Sequence, residues 1–313
     1  MDIATVALAI LMMAVIIAIG SAVALQITIT EEIKRIFIIL IIYVVVPAMI
    51  LNGIVNTEMT DQVIRQVFTI FGMSVVFNGA AVVFSLFLGK GLGIEWALAK
   101  KLSLLSALGN TGFIGIPLCL AIFGPMGGVL AAVFDAGLDV IVFSLGIYLL
   151  QSDNGFDYRQ LKSLMNPPLG AIVIGMLVAI NSIESPLFIQ DLIAMLAGLA
   201  APLAMFYIGF LLPSFLKEKS VFYFPQLWFP VSMKLLIIPV LTMPLVMMLP
   251  IENFLKNVFI ILTAMPNFML ATPLFAMYTE EEDKAVMSTV YSTLFSLLTI
   301  PLIAFLTNIF TKL

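Results

Sequence analysis

Long apolar stretches alternate with short polar breaks along the whole chain. The apolar segments run at about 3–26, 35–55, 65–89, 103–124 and 126–150, then at about 165–182, 188–212, 227–250, 254–278 and 285–310. Each is close to the roughly 20 residues that a helix rising 1.5 Å per residue needs to cross a hydrocarbon core of about 30 Å. In lipid the backbone must satisfy its own donors and acceptors, so each segment is predicted to be helical. The pattern therefore predicts an all-α polytopic membrane protein with ten transmembrane helices. Ile3–Leu25 lacks a positive leader and exceeds the apolar core of a signal peptide, so it is expected to remain as the first span.

Composition agrees with this reading. Of 313 residues, 62% are apolar and 10% charged, against about 45–50% and 25% in soluble domains. The longest connections, around Gly89–Lys101, Gln151–Ser163 and Ser214–Gln226, are too short to hold a water-soluble domain. With ten spans, Lys34, Arg35, Lys90, Lys100, Lys101, Arg159, Lys162, Lys217, Lys219 and Lys284 share one side, and Arg65, Lys256 and Lys312 the other. Positive residues favour the cytoplasm, so a cell membrane protein with both termini extracytoplasmic is expected.

Sliding the chain by 155 residues aligns Gly20 with Gly175, Gln26 with Asn181 and Pro47 with Pro202, and one further residue aligns Pro117 with Pro273. Coincidences of Gly, Pro and amide residues point to a duplication. The units are 1–155 and 156–313, each with five spans. An odd number makes the second unit enter from the opposite side, which gives two inverted five-helix repeats.

The fourth segment contains Gly109-Asn110-Thr111-Gly112-Phe113-Ile114-Gly115-Ile116-Pro117, and the ninth contains Met265-Pro266-Asn267-Phe268 followed by Ala271-Thr272-Pro273. Proline removes a donor and clashes with the preceding turn, and glycine readily adopts conformations that end a helix, so both helices are expected to break within these stretches, at equivalent repeat positions. Broken helices 4 and 9 would cross near the midplane and aim half-helix N-termini, each carrying about half a positive charge, at one point suited to an anion. Asn110, Thr111, Gly112, Pro117, Pro266, Asn267 and Pro273 are the candidate substrate residues. Their amides and hydroxyl can bind a carboxylate, or simply cap the freed backbone.

Three charged side chains lie deep in spans: Asp135 and Asp139 in the fifth, and Lys234 in the eighth. Such groups must face protein or water and are functional candidates by default. The aspartates, four apart, share one helix face. They are candidates for proton coupling, with an oxygen cage for sodium as the rival and a structural ion pair to Lys234 as the alternative. Asn52 and Asn78 are expected to join helices by hydrogen bonds.

One cysteine, Cys119, and no histidine remove disulfides, zinc, haem and Cys/His nucleophiles, so no cofactor beyond a coupling H+ or Na+ is implied. A net charge of −4 spread over short loops gives no nucleic-acid surface. An enzyme is not expected. An aspartyl protease dyad joins carboxylates from two helices, whereas Asp135 and Asp139 share one.

The stretch Gly109–Leu118, GNTGFIGIPL, resembles the fourth-span signature of the auxin efflux carrier family, the PIN-like transporters. Asn166-Pro167-Pro168-Leu169 resembles the opening of its second repeat, Pro202–Gly209 its seventh span, and Ala264-Met265-Pro266 its ninth-span crossover. The resemblance implies the bile acid symporter and PIN-like architecture: a scaffold of spans 1, 2, 6 and 7 and a mobile transport domain of spans 3–5 and 8–10. It implies elevator-like transport of a small organic anion, such as malate, malonate or an auxin-like acid, and a homodimer through the scaffold. It puts the carboxylate-holding asparagine at Asn110 and a partner at Asn267. Only Gln151–Ser163 stands where plant members carry a long cytoplasmic segment, which favours a prokaryotic-type permease. A sodium-coupled symporter is the alternative; a receptor or channel would leave the matched breaks without a purpose.

Overall fold

The computed structural model describes residues 3–55, 60–151, 167–181, 183, 185–217 and 225–312. Arg159, Lys162, Asn166 and Lys219, which entered the charge and motif arguments, lie outside them. Helices occupy every one of the apolar stretches, and the one strand-like feature among the described residues is an isolated antiparallel bridge between Gly109 and Asn267. Six helical segments are long and apolar enough to cross a bilayer, and the shorter apolar helices Leu11–Gln26, Pro167–Ala179 and Asn253–Thr263 accompany them. The chain is a multi-pass membrane protein.

In chain order the helices are α1 Ile3–Gln26, α2 Glu31–Leu40, α3 Val46–Val55, α4 Asp61–Gly91, α5 Trp96–Ala107, α6 Ile116–Ile141 and α7 Ile147–Leu150. Then come α8 Pro167–Ile180, α9 Leu187–Ala197, α10 Ala200–Lys217, α11 Trp228–Ser232, α12 Ile238–Met247, α13 Asn253–Thr263, α14 Ala271–Tyr278 and α15 Glu282–Lys312. Thr30 and Thr60 start α2 and α4, each hydroxyl accepting an N–H three residues on (Ile33, 3.4 Å; Val63, 3.3 Å).

Several interior prolines do not break their helices. Pro47, Pro117 and Pro239 each follow a π-helical turn, at Ile41–Val45, Thr111–Gly115 and Met233–Ile237. The wider turn carries the preceding carbonyls away from the proline ring, so the helix continues. The expected break in the Gly109–Pro117 stretch falls at its beginning, Leu108–Asn110, and Pro117 sits in the first turn of α6. Pro273 likewise lies in the first turn of α14, where its missing N–H costs nothing. Residues 111–150 would span about 60 Å as one helix, twice the hydrocarbon core. Gly124 interrupts them with φ 75° and ψ −170°, a conformation open to glycine, and Pro125 follows.

α1 packs on α10, and α3 on α8 and α9; α4 packs on α5 and α6, α13 on α6 and α12, and α14 on α15, while α3 also packs on α6 and α1 on α15. At the α1–α10 contact the backbones nearly touch. A Cβ on Gly209 would lie 2.4 Å from the Ile17 carbonyl oxygen, and the Ser21 hydroxyl donates across the contact to the Gly209 carbonyl at 3.0 Å. Gly175 of α8 makes room for the Ile54 side chain of α3, whose Cδ1 would stand 2.6 Å from a Cβ there. Small residues supply this closeness where burial from water drives nothing.

Candidate functional site

The two interrupted segments meet. Asn110 N–H donates to the Pro266 carbonyl at 2.7 Å and Phe268 N–H to the Leu108 carbonyl at 3.2 Å, so residues 108–110 and 266–268 run antiparallel as a two-strand patch inside a helical protein. The backbone freed by each break is satisfied by the other, which lets non-helical chain lie buried at membrane depth.

Three further groups hold the patch. The Asn110 side chain accepts from Phe113 N–H at 3.1 Å, capping the helix that begins at Thr111. Asp135, from the following segment, takes the Thr111 hydroxyl hydrogen bond on Oδ1 and faces the Gly112 N–H. A carboxylate at a helix N-terminus complements its partial positive charge. Lys234 is 1% exposed and donates to the carbonyls of Ala107 at 3.0 Å and Thr263 at 3.1 Å, the last helical residues of α5 and α13. The aspartate–Lys234 ion pair entertained from sequence is not what the fold builds: the hydrogen bonds of Lys234 run to helix C-termini, where a cation is equally favoured.

The glycines of the motif make these approaches possible. A Cβ at Gly109 would stand 3.1 Å from Lys234 Nζ, one at Gly112 3.0 Å from Asp135 Oδ2, and one at Gly115 2.9 Å from Leu262.

Two cavities lie against the crossing. One, of about 220 Å³, is lined by Asn110, Thr111, Gly112, Asp135, Asp139 and apolar side chains from α6, the π turn after α2, and Phe268–Leu270. The other, of about 560 Å³, is lined by Lys34, Tyr207, Thr272, Pro273, Glu282, Thr289 and Thr293. Asn110, Phe113, Met269 and Leu270 border both. Phe113 also stacks on Tyr207 of α10, ring centroids 5.8 Å apart, joining the crossing to α10.

Asn110, Thr111, Gly112, Asp135 and Asp139 thus come together in one cavity. Asn267 is instead fully buried and turned toward α15: its amide donates to Ser288 Oγ, and its N–H to Ser292 Oγ at 3.0 Å. Pro266 contributes its carbonyl to Asn110, and Pro117 packs in the buried interior of α6. Asn78 bonds within its own helix, to the Ser74 carbonyl at 2.8 Å, whereas Ser74 bridges to the Phe134 carbonyl at 2.5 Å. Sequence reasoning missed Ser288 and Ser292, although serines at 288, 292 and 296 repeat every fourth residue along one face of an otherwise apolar helix. It also missed Phe113 and Tyr207, which do not stand out in a chain with 25 phenylalanines and 7 tyrosines.

A family profile described as "Membrane transport protein" matches residues 3–160 and 156–304, which covers both halves of the chain. An uncharacterized transporter of Methanocaldococcus jannaschii is 26% identical over 283 residues, 87% of this chain and 89% of that protein. An uncharacterized transporter of Methanothermobacter thermautotrophicus is 28% identical over 212 residues, 67% of this chain and 68% of that protein. The motif at Gly109–Leu118, the buried polar crossing and the whole-chain match converge: the chain belongs to the membrane transport protein family, that of the auxin efflux carriers.

Proposed function

We propose that the protein is a secondary transporter that carries a small organic anion, a mono- or dicarboxylate, across the cytoplasmic membrane by elevator-type alternating access. The observation that carries this reading is the mutual pairing of two interrupted helices at Asn110–Pro266 and Leu108–Phe268, with Asn110 on a wall common to two cavities. Buried non-helical backbone bordering a cavity is how carriers expose polar groups at membrane depth. On this reading the ten helical stretches are spans of two inverted five-helix repeats, 1–155 and 156–313, with the termini extracytoplasmic. The pairing of α1 with α10 and of α3 with α8 supports it, since a repeat that exchanges spans 1 and 6, and 2 and 7, exchanges those two contacts. Spans 1, 2, 6 and 7 form the scaffold; spans 3–5 and 8–10 carry the substrate.

Asn110 orients the substrate carboxylate, with Thr111 and Gly112 beside it. The same cavity holds Asp135 and Asp139. Like charges in a weakly polarisable site repel strongly, so an organic anion enters there with a proton or a cation. Coupling through the two aspartates follows from that requirement.

The test is uptake of a panel of radiolabelled mono- and dicarboxylates into proteoliposomes, with a pH gradient and a sodium gradient imposed in separate arms. Accumulation driven by one gradient is the expected result and names the coupling ion. Folded protein that moves no organic anion under either gradient, and exchanges none, overturns the reading.

A further inference from the structure

The group that remains after the carboxylate cavity is accounted for is Lys234. It lies in a π-helical turn on the side of the crossing held by α5 and α13, and its ammonium sits between the carbonyls of Ala107 and Thr263. Those carbonyls end the two half-helices that precede the breaks. Both half-helices therefore turn the negative ends of their dipoles toward one buried point. In broken-helix carriers, carbonyls at such ends are ligands for a dissociable monovalent cation. Gly109 leaves the room for the side chain to arrive, since a Cβ there would press on both Cε and Nζ of Lys234.

We infer that the Lys234 ammonium is a built-in cation at the crossing, covalently held where a dissociable monovalent ion would otherwise bind, so that α5 and α13 stay joined throughout transport without sodium. The inference rests on the carrier reading only for the words "throughout transport"; the site itself is a matter of two helix ends and one charge. It separates two jobs. Any coupling ion acts at Asp135 and Asp139, and the integrity of the crossing is independent of ion supply. An ammonium on a flexible four-carbon stem suits this, because it is a compact point charge with several donors. Within a moving domain, a tethered charge cannot be lost when the cavity faces the side poorer in cations.

The experiment uses Lys234→Ala and the neutral, space-filling Lys234→Met. The purified full-length proteins are melted in detergent at equal ionic strength in sodium, potassium, methylammonium or choline chloride, with no organic anion present. Wild type is expected to melt alike in potassium and choline. Lys234→Ala loses about 5 °C or more in choline, two buried carbonyls having lost their donor, and recovers saturably in one of the small cations. Lys234→Met stays low in all of them. Should Lys234→Ala not survive purification, its monodisperse yield on solubilisation from membranes in each salt is the readout, with recovery expected in a small cation alone. An equal loss or equally poor yield in every cation, or a Lys234→Met protein as stable as wild type, overturns the inference. Because no substrate is used, failure here is separate from failure of the uptake experiment.

Discussion

The Asp135 carboxylate receives its hydrogen bond from the Thr111 hydroxyl, across 24 residues of chain and a reversal at Gly124. One contact thereby ties a carboxylate of the cavity to the first residue after the helix break. Without an acceptor at Asp135 the Thr111 hydroxyl would lose this partner.

Thr111→Val keeps the shape and removes the donor. It is expected to cost about 1.5–3 kcal/mol, the range for a hydrogen bond to a charged group, read as a lower melting temperature, while Thr111→Ser restores most of it. A Val variant as stable as wild type would detach Thr111 from the support of Asp135.

Asp135→Asn and Asp139→Asn, made separately, test the proposed coupling. Each is expected to stay folded and to lose gradient-driven accumulation while retaining part of its substrate exchange, as measured in proteoliposomes. Full accumulation by both single variants would remove the aspartates from coupling.

Asn110→Ala removes the cap on Phe113 N–H, worth about 1 kcal/mol of stability, and on the proposed reading it abolishes carboxylate binding. The check is binding of the transported acid to folded, purified variant. Unchanged affinity would displace the substrate from the crossing.

Gly209→Ala drives a methyl group into the Ile17 carbonyl at the α1–α10 contact. Overpacking of this kind costs about 1–3 kcal/mol, so the variant should melt lower. Gly72→Ala is the matched control: nothing lies within 4 Å of its Cβ position, so it should be neutral or slightly stabilising, as alanine is the better helix former.

Glu281, in the short connection before α15, pairs with Lys284 and, at 3.3 Å, with Lys101 of α5. Burial pushes its carboxyl up, but the Lys284 hydrogen bond and the charges of Lys101 and Lys284 outweigh burial and hold it below the ordinary glutamate range. A depressed carboxylate stabilises the fold above its unfolded value of about 4.3 and loses that contribution as pH falls through the lower folded value. Glu281→Gln should therefore melt below wild type at pH 7, and the gap should close on acidification below about pH 4. A gap that persists unchanged to acid pH would mean that the ion pairs contribute nothing.

The sequence by itself determined that this is a helical, multi-pass membrane protein, because a bilayer leaves a 20-residue apolar run one way to satisfy its backbone. It also marked where the regular helices fail, because Gly and Pro act on their immediate neighbours. It did not show how the chain continues past the break. A π turn ahead of Pro117 absorbs the proline, and that depends on where α6 must point, not on the proline alone. Asp135 and Asp139 were legible as buried charges, but not the Thr111 partner. Asn110 and Asn267 looked alike in sequence, yet Asn110 borders both cavities while Asn267 is spent on the serines of α15. Lys234 could be seen to need a partner; that its partners are two helix ends, not a carboxylate, was decided only when α5 and α13 were brought together. Hydropathy and backbone preference are local and can be read along the chain. Which buried polar group answers which is settled by contacts between different segments, from 21 residues apart at Asn267–Ser288 to 127 at Lys234–Ala107, and no local pattern encodes them.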